Sequence, residues 1–551
     1  MELKRQTLYE AIRDSAKRYP NITALYYQGS KISYKKFLKM VDEKARILKN
    51  VLKVEKGDII LIAQPNIPDT LALFYAVNKI GAIANMVHPF TPYNQIRKIM
   101  NDTNTKYAFL FEQRIAKEVE RYRDIYKNIF VTRVEDYLPP LKKFIYHTFL
   151  NRDIRKKLSK KRKFPGFSYV KDLKAVGPHP EVVNGDFIDD CAVLLHSGST
   201  TGDPKTIKLS NHAFNFSVSH ALEYLCCEAK DIVGMGMLGV LPSFHGFGLC
   251  ICMHASLYIN MTLALIPKFS PKATIDALNK TKLACMIGVP TMYEAMLKDE
   301  KLVKNKRLKY LKVAWSGGDS MSISLKKRFD EMIKNNGGSG RLFEGYGLTE
   351  SISVVIVNTH DHNKEGSIGY PSSGIDVKIL DDDNNEVPRG EIGEICIKSL
   401  TNMIGYYNDD KATSQAIIDG YLHTGDLGYM DEDNFVFFKQ RKKRVVKVSG
   451  VGVFPTEIEH LIESIPGVES VCAISIPDPQ LISAIKVFVV AKFFDEQGMR
   501  NMIMDTCRKY LIRWAVPKEI EFRSELPHTL LGKVDFKVLQ KEEDEKRKKD
   551  K

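Results

Sequence analysis

A loop rich in glycine and hydroxyl side chains, with a single lysine, directly follows an apolar segment of this chain. The apolar residues 191–195 predict a buried strand, and the loop occupies residues 197–205. Glycines let backbone amides approach a polyphosphate, serine and threonine add hydrogen-bond donors, and lysine supplies a positive charge. The loop therefore predicts a binding site for the phosphates of a nucleotide.

This loop differs from a Walker loop, in which a Lys-Ser or Lys-Thr pair follows the second glycine and opens a helix. Here Asp203 and Pro204 precede the lysine, and Pro204 has no amide proton to donate. Residues 206–209 alternate between polar and apolar side chains, which is typical of a strand. We therefore expect the phosphate loop to lie between two strands.

Strand and helix patterns alternate along most of the chain. Residues 58–63 predict a buried strand, and residues 67–80 predict the helix that follows it. Further short strands are predicted at 285–289 and at 313–315. This alternation predicts an α/β fold with mostly parallel sheets.

The pattern changes in the last third of the chain. A polar turn at 381–385 predicts paired strands within a β-rich subdomain near 370–440. Farther on, a short amphipathic helix at 458–462 and strands at 468–476 and 485–493 predict a small α+β unit. We therefore predict an N-terminal domain over 1–440, a small mobile C-terminal domain over 441–540 and a disordered charged tail over 541–551.

Charge and cysteine content narrow the class of protein. The 551-residue chain has a net charge of +15, concentrated at residues 142–163 and 441–447. No zinc-finger, RNP-type or helix-turn-helix pattern accompanies these residues, so we expect no nucleic-acid binding. The nine cysteines form no C-x-x-C pair, which favours a reducing compartment without disulfides or cysteine-bound metal.

Two segments bear on location. The first residues lead into a polar amphipathic pattern, so we expect no secretion signal and a cytoplasmic protein. Residues 232–267 carry no charged side chain, and this length could cross a membrane. Because proline, glycine, histidine and asparagine interrupt the segment, we predict a buried strand–helix passage that lines an apolar pocket.

Five segments together identify a family. They are Leu194-Leu195-His196-Ser197-Gly198-Ser199-Thr200-Thr201-Gly202-Asp203-Pro204-Lys205, Phe343-Glu344-Gly345-Tyr346-Gly347-Leu348-Thr349-Glu350, Tyr421-Leu422-His423-Thr424-Gly425-Asp426, residues 441–459 and residues 526–535. In this order they resemble the motifs of the acyl-adenylate-forming enzymes, which include acyl-CoA synthetases, firefly luciferase and the adenylation domains of peptide synthetases. The resemblance covers nearly the whole chain and is greatest to a fatty acyl-CoA synthetase.

The resemblance implies a two-step reaction. A carboxylic acid attacks the α-phosphate of ATP to give an acyl-adenylate and pyrophosphate, and the thiol of CoA then displaces AMP. Mg²⁺ is implied as the metal ion that accompanies ATP. Two alternatives stay open: an enzyme that loads a carrier-protein thiol, and a non-catalytic basic protein that binds membrane or nucleic acid.

The same resemblance assigns the residues of the site. The residues implied for ATP binding are Ser197, Gly198, Ser199, Thr200, Thr201, Gly202, Lys205, Gly317, Gly318, Tyr346, Gly347, Thr349, Asp426, Arg441 and Lys533. Lys533 is also implied as the catalytic cation, and Thr200 and Glu350 as catalytic residues that hold Mg²⁺. Three further sets are implied: His245 and Gly345 at the acyl pocket, Lys443 at the hinge, and Lys447, Gly450 and Gly452 in the loop of the thioester step.

Departures from the family pattern bear on these assignments. Thr206 stands where glycine usually follows the loop lysine, Asp319 where a small residue is common, and Arg444 where an acidic or small residue is frequent. Segment 241–248 lacks the aspartate that amino-acid-activating members place there, and its flanks are apolar. We therefore expect a fatty acid of medium or long chain, with an aryl or sterol-like acid as the alternative.

Apolar residues recur at roughly helical spacing among the basic residues of 141–163. This pattern predicts either a basic amphipathic helix on an anionic membrane surface or a solvated basic loop. In the first case, the protein would be peripheral on the inner face of a membrane.

Overall fold

The computed structural model describes residues 4–154, 168–183, 185–197, 205–319, 321–352, 354–449, 451–478, 480–492, 495–528 and 534–549. The chain forms two compact units. The first contains Met1–Asp376 and Lys398–Leu422, and the second contains Val377–Ile397 and His423–Lys551. The predicted domain boundary at residue 440 stays a prediction.

Two large sheets form the first unit. The nine-stranded sheet consists of β1 (Thr23–Tyr27), β2 (Ser30–Ser33), β10 (Gly236–Gly239), β11 (Thr262–Leu265), β12 (Leu283–Gly288), β13 (Val313–Ser316), β14 (Arg341–Tyr346), β15 (Ile356–Val357) and β16 (Tyr370–Pro371). The eight-stranded sheet consists of β3 (Ile59–Ala63), β4 (Ile83–Met86), β5 (Tyr107–Phe111), β6 (Ile129–Thr132), β7 (Ser168–Tyr169), β8 (Cys191–His196), β9 (Thr206–Ser210) and β19 (Gly405–Tyr406). The strand orders are β16-β15-β14-β13-β12-β10-β11-β1-β2 and β19-β9-β8-β4-β3-β5-β6-β7.

Helices connect and cover these strands. The α-helices of the first unit whose bounds lie within the described residues are α1 (Leu8–Arg18), α2 (Tyr34–Arg46), α3 (Pro68–Lys79), α4 (Tyr93–Asp102), α5 (Glu112–Ile115), α6 (Pro140–Ile145), α7 (Asn211–Ser219), α8 (Ala221–Tyr224), α9 (Ala255–Tyr258), α10 (Pro271–Lys280), α11 (Pro290–Leu297), α12 (Glu300–Val303), α13 (Ile323–Asn335) and α14 (Asp410–Ala416). Segments Ile47–Val51, Tyr146–Leu150 and Phe247–His254 are π-helical. Short 3₁₀ helices occur at Val119–Asp124, Tyr126–Asn128, Val134–Tyr137, Val170–Asp172, Ala229–Asp231, Lys306–Tyr310 and Thr349–Ser351.

The sequence patterns explain the centre of the first unit. Strand β3 is buried at every residue, as expected for a parallel strand covered on both faces. Helix α3 is apolar almost all round and is buried along its whole length, where α1 and α2 pack against it. Most neighbouring strands in both sheets run parallel, so the predicted α/β fold is confirmed.

The second unit is built from smaller sheets. Its strands are β17 (Asp376–Leu380), β18 (Gly393–Lys398), β21 (Tyr421–Met430), β22 (Val436–Arg441), β23 (Val446–Val448), β24 (Val451–Val453), β25 (Val468–Asp478), β26 (Ile482–Ala491) and β27 (Glu519–Phe522), and its helices are the 3₁₀ turn Lys442–Arg444, α15 (Pro455–Glu463), α16 (Glu496–Tyr510) and α17 (Phe536–Lys549). Strand β21 lies next to β18 and β22, and the two-residue strand β20 (Ile417–Ile418) belongs to the first unit. Strands β25 and β26 pair with each other, as predicted, and run antiparallel.

Alternation along β25 places helices on both faces of its sheet. Val471 and Ala473 pack into one cluster with residues of α15 and α16. Cys472 and Ile474 point to the other face and pack with Leu539 of α17. The side chains of a strand alternate between faces, so β25 contributes to two separate apolar layers.

The predicted disorder of the charged tail is wrong for residues 541–549, because they complete α17. Leu539 is fully buried, and Glu543 forms a buried ion pair with Lys486 at 2.8 Å. One face of this charged helix therefore packs against the rest of the second unit. The high charge content of the sequence does not indicate this packing.

The apolar segment 232–267 contains β10, the π-helix Phe247–His254, α9 and β11. This confirms the predicted strand–helix passage. Across the described ranges, no helix combines the length and the apolar character needed to cross a membrane.

Candidate active site

The predicted phosphate loop lies between β8 and β9, two antiparallel strands with His196 opposite Thr206. At the base of the loop, the amide of Ser197 donates to the carbonyl oxygen of Lys205 at 2.9 Å. The amide of Lys205 in turn donates to the Ser197 hydroxyl at 3.0 Å. The predicted position between two strands is therefore confirmed, and the loop begins and ends at one closed pair of residues.

The remaining predicted phosphate ligands, Gly198, Ser199, Thr200, Thr201 and Gly202, lie outside the described residues. Their assignment stays a prediction.

A half-buried histidine, His196, lies at the base of the loop. The Nε2 atom of His196 lies 2.8 Å from the Asn85 side-chain oxygen, and its Nδ1 atom lies 3.2 Å from the Thr206 hydroxyl. Burial lowers the pKa of His196 to about 4, so the ring is neutral at physiological pH. Thr206, which stands where the family usually has glycine, therefore helps to hold the His196 ring through its hydroxyl.

Tyr406 brings two predicted site residues together. The Lys205 ammonium lies 4.2 Å from the centre of the Tyr406 ring, and the Tyr406 hydroxyl donates to Glu350 Oε1 at 3.2 Å. Burial, together with the Glu350 carboxylate, raises the pKa of this hydroxyl well above its ordinary value of 10, so it stays protonated and donates. The predicted phosphate-binding residue Lys205 and the predicted metal ligand Glu350 therefore both contact Tyr406.

Backbone pairing fixes Tyr406 in this position. It lies on β19, whose residues Gly405 and Tyr406 pair with Lys208 and Ile207 of β9. The Met403 amide also donates to the Glu350 carbonyl oxygen at 2.7 Å. Sequence reasoning missed Tyr406, because a two-residue strand some 200 positions from its partner gives no periodic signal.

The glycine-rich turn after β13 lies against β14. A methyl group at Gly317 would lie 3.0 Å from the Gly345 carbonyl oxygen and 3.0 Å from the Phe247 ring. Gly318 has a φ of +78°, in the left-handed region that favours glycine. Two predicted parts of the site, the turn at Gly317 and the acyl-pocket residue Gly345, are thus in direct contact through their backbones.

The segment that resembles the adenine-binding motif follows this contact. Tyr346 ends β14 and pairs with Ile356 of β15, and Gly347 leads into the 3₁₀ turn that holds Thr349 and Glu350. This turn ends at Ile352, which is buried with a φ of +64°. Left-handed backbone is costly for a β-branched residue, and such strain is concentrated at functional sites.

His245 lies beside the same turn. A methyl group at the next residue, Gly246, would lie only 2.8 Å from the Ile352 carbonyl oxygen. The rings of His245 and Phe244 lie 5.0 Å apart, and the π-helix Phe247–His254 begins two residues after His245. The predicted acyl-pocket segment is therefore packed closely against the predicted metal-binding turn.

Within the second unit, Asp426 and Arg441 face each other across β21 and β22. Arg441 Nε lies 3.4 Å from Asp426 Oδ1, and the aspartate is buried while the arginine is largely exposed. A buried carboxylate beside an exposed guanidinium can bind the paired hydroxyls of a ribose, which is the role that the resemblance implies.

The hinge and thioester-step candidates also lie in the second unit. Lys443 is exposed in the 3₁₀ turn Lys442–Arg444. Lys447 and Gly452 are cross-strand partners on β23 and β24. Gly450 and Lys533 lie outside the described residues.

Comparison with known families defines the class of this protein. Residues 12–407 match the model of the AMP-binding enzyme family, and residues 457–533 match the model of the AMP-binding enzyme C-terminal domain. The chain therefore belongs to the AMP-binding enzyme family, which confirms the resemblance found in its motifs.

Full-length relatives narrow the comparison. The chain is similar to the long-chain-fatty-acid–CoA ligase of Bacillus subtilis (strain 168), with 30% identity over 554 residues that cover 99% of this chain and 96% of the relative. The long-chain-fatty-acid–CoA ligase of Salmonella typhimurium (strain LT2) is 31% identical over 549 residues, 98% of this chain and 94% of the relative. Among solved structures, ATP-bound MatB from Rhodopseudomonas palustris has a TM-score of 0.81 at 20% identity, covering 97% of this chain and 98% of its own. This last similarity shows the shared fold.

Proposed function

We propose that this protein is an AMP-forming acyl-CoA ligase that activates a fatty acid with ATP and then transfers the acyl group to CoA. Membership of the AMP-binding enzyme family and the full-length similarity to long-chain-fatty-acid–CoA ligases support this function. The observation in the structure that carries it is the joint contact of Lys205 and Glu350 with Tyr406. This contact supports the proposal, because the predicted phosphate-binding lysine and the predicted metal-binding carboxylate both meet the same side chain.

The reaction needs positioning and charge neutralisation more than covalent chemistry by the protein. Loop residues 197–205 would hold the β- and γ-phosphates, with Lys205 as a point charge, and Tyr346 would offer its flat face to adenine. Asp426 and Arg441 would bind the ribose hydroxyls. Lys533 would stabilise the charge that develops as the carboxylate attacks the α-phosphate.

The donor set fits Mg²⁺, because the Glu350 carboxylate and the Thr200 hydroxyl are hard oxygen ligands. When bound, the ion would neutralise charge on the phosphate oxygens of ATP. Tyr406 would keep Glu350 oriented through its hydroxyl bond to Oε1.

The acyl site is proposed near Gly345 and His245, and the missing aspartate in 241–248 argues against an amino-acid substrate. Phe247 lies against the Gly317 turn and supplies an apolar surface next to the Gly345 backbone. A fatty acid fits these surroundings.

Product assays test the reaction and its acceptor. Purified protein is supplied with Mg²⁺, ATP and a panel of fatty, aryl and amino acids, with and without CoA. We expect pyrophosphate with the fatty acids, and loss of free thiol in step with AMP when CoA is present. Adenylate without thiol loss would favour a carrier-protein acceptor, and no pyrophosphate with any acid would refute the function. Glu350→Gln should abolish the activity, whereas Glu365→Gln, at a surface position, serves as the matched control.

We further propose that residues 141–163 contact an anionic membrane surface. The outer side chains Leu141, Phe144 and Phe149 are 72%, 62% and 69% exposed on consecutive helical turns. The inner side is fixed, because His147 Nδ1 lies 2.9 Å from Glu135 and Tyr146 accepts a hydrogen bond from Gln113 at 3.1 Å. Exposed apolar side chains in a segment whose sequence contains ten basic residues suit the interface of anionic lipids.

Vesicle binding tests this contact. Co-sedimentation with phosphatidylglycerol vesicles should exceed that with phosphatidylcholine vesicles, and replacing Phe144 and Phe149 by serine should weaken it. Neutralising Lys156, Lys157, Lys160 and Lys161 should also weaken it, since each basic residue near such a surface contributes about 1 kcal/mol. Ile482→Ser, at another exposed apolar residue, is the control. Unchanged binding in both variants would show that the segment is solvated and does not contact the membrane.

A further inference from the structure

Three side chains of the second unit that could ligate a metal ion lie together on one sheet, and the reaction proposed above does not use them. Glu394 and Cys396 are two residues apart on β18, so they lie on the same face. His423 lies on the neighbouring strand β21. Its Nδ1 atom is 3.4 Å from Cys396 Sγ and 3.4 Å from Glu394 Oε2, and the three ligand atoms all lie within 4.8 Å of one another.

These distances suit a four-coordinate zinc ion. With zinc bonds of about 2.3 Å to sulfur and about 2.0–2.2 Å to nitrogen and oxygen, tetrahedral angles separate nitrogen from sulfur by about 3.5 Å and nitrogen from oxygen by about 3.4 Å. Thiolate, imidazole and carboxylate are also the three ligand types that zinc takes in proteins. A thiolate ligand argues against Mg²⁺ and Ca²⁺ at this site, because these ions prefer oxygen ligands.

The surrounding backbone holds the three ligands in place. The Gly425 amide donates to Glu394 Oε1 at 2.8 Å, so the other carboxylate oxygen is the one near His423. The Thr424 hydroxyl donates to the Ile395 carbonyl oxygen at 2.7 Å and ties the two strands together. Cys396 is fully buried, and the side chains of Glu394 and His423 are 9% and 11% exposed. Little rearrangement is therefore needed to assemble the site.

The Lys442 ammonium would compete with a metal ion for the Glu394 carboxylate. This ammonium lies 3.2 Å from Glu394 Oε2, the oxygen that faces His423, and 2.8 Å from Asp382 Oδ1. A divalent ion at the cluster would displace the ammonium from Glu394, while Asp382 could retain it. Binding would therefore exchange one cation for another at Glu394.

We propose that Glu394, Cys396 and His423 form a binding site for Zn²⁺, with water at the fourth position. Binding releases the thiol proton of Cys396 to solvent, so that the thiolate coordinates the metal. Cysteine spacing did not indicate this site, because its sulfur and nitrogen ligands come from residues 27 positions apart on different strands.

Occupancy would also act on the predicted ribose site. His423 lies three residues before Asp426 on the same strand, and the displaced Lys442 is the neighbour of Arg441. Resting on the proposed function, we expect bound Zn²⁺ to change the KM for ATP. The binding measurement below needs no activity, so the metal site and the enzymatic function can fail independently.

Cobalt spectroscopy on the metal-stripped full chain tests the site. Co²⁺ should give a thiolate-to-metal charge-transfer band that saturates at one equivalent, and Zn²⁺ should remove it. Cys396→Ser should abolish the band, and His423→Asn should weaken binding at least tenfold. Cys227→Ser, at a cysteine of the first unit, should leave the titration unchanged.

Lys442→Met provides a second, independent test. Because it removes the competing ammonium, it should tighten Zn²⁺ binding at least tenfold, as measured by competition with a chelator. A normal thermal unfolding midpoint for each variant excludes misfolding. Absence of the band in the wild-type chain, its persistence in Cys396→Ser, or unchanged affinity in Lys442→Met would overturn the proposal.

Discussion

Tyr406 allows the proposed chemistry to be divided into two measurable parts. Its hydroxyl donates to Glu350, and its ring faces Lys205. Tyr406→Phe removes only the hydroxyl bond. A hydrogen bond to a charged group contributes about 1.5–3 kcal/mol, and 1.4 kcal/mol corresponds to about tenfold. We therefore expect kcat/KM to fall about tenfold to a hundredfold.

Because the lost bond orients Glu350, the concentration of Mg²⁺ needed for half-maximal rate should rise in Tyr406→Phe. Tyr406→Leu removes the ring as well, with a further loss of about 0.5–2 kcal/mol from the cation–π contact. This second loss should appear as a higher KM for ATP, since Lys205 is the proposed phosphate ligand.

Pyrophosphate release, measured over a grid of Mg²⁺ and ATP concentrations, separates the two effects. Tyr407→Phe, at the next residue, is the matched control. If Tyr406→Phe keeps wild-type kinetics at limiting Mg²⁺, then the hydroxyl does not position Glu350 and the reasoning is refuted. Equal effects of both substitutions on both parameters would also contradict it.

Three other predictions test the hinge, the core and a buried ion pair. Lys533→Ala should slow adenylation by roughly a hundredfold or more but should still convert a pre-made acyl-adenylate to thioester. Lys443→Pro should impair the thioester step and spare adenylation. Equal loss of both half-reactions in both variants would contradict the prediction of a mobile C-terminal domain. Leu539→Ala should destabilise the second unit by about 2–5 kcal/mol in urea unfolding, because a fully buried leucine is truncated. Asp69→Asn should lower stability at pH 7 by about 3–5 kcal/mol by leaving Lys44 buried without its partner. Burial opposes ionisation of Asp69, but Lys44 outweighs it and lowers the carboxyl pKa below 3.8, so the wild type should lose this advantage over Asp69→Asn only as the pH falls below about 4.

The sequence predicted those parts of the fold that rest on local periodicity. Strand β3 and helix α3 match their predictions closely, because every residue of β3 is buried and α3 is apolar almost all round. The strand–loop–strand arrangement around Lys205 was predicted because proline and an alternating pattern exclude a helix there. In each case, the residues that indicate the element lie within it or within a few positions of it in the sequence.

The parts that escaped prediction depend on contacts between distant residues. Tyr406 meets Lys205 only because β19 pairs with β9. Residues 541–549 of α17 were predicted to be disordered, because the ion pair that buries Glu543 forms with Lys486, 57 positions away in the chain. The resemblance supplied the motif residues, but no local pattern specifies which long-range partner completes each of them.

The π-helix Phe247–His254 has a consequence for how related chains can diverge. Its hydrogen bonds span one residue more than those of an α-helix, and the segment begins beside the Gly317 turn. Deletion of a single residue there would let the segment close as an α-helix and rotate the side chains on one side of the deletion by about 100° relative to those on the other. A one-codon deletion, with no substitution at any contact residue, would therefore reshape the wall of the proposed acyl site in a single evolutionary step.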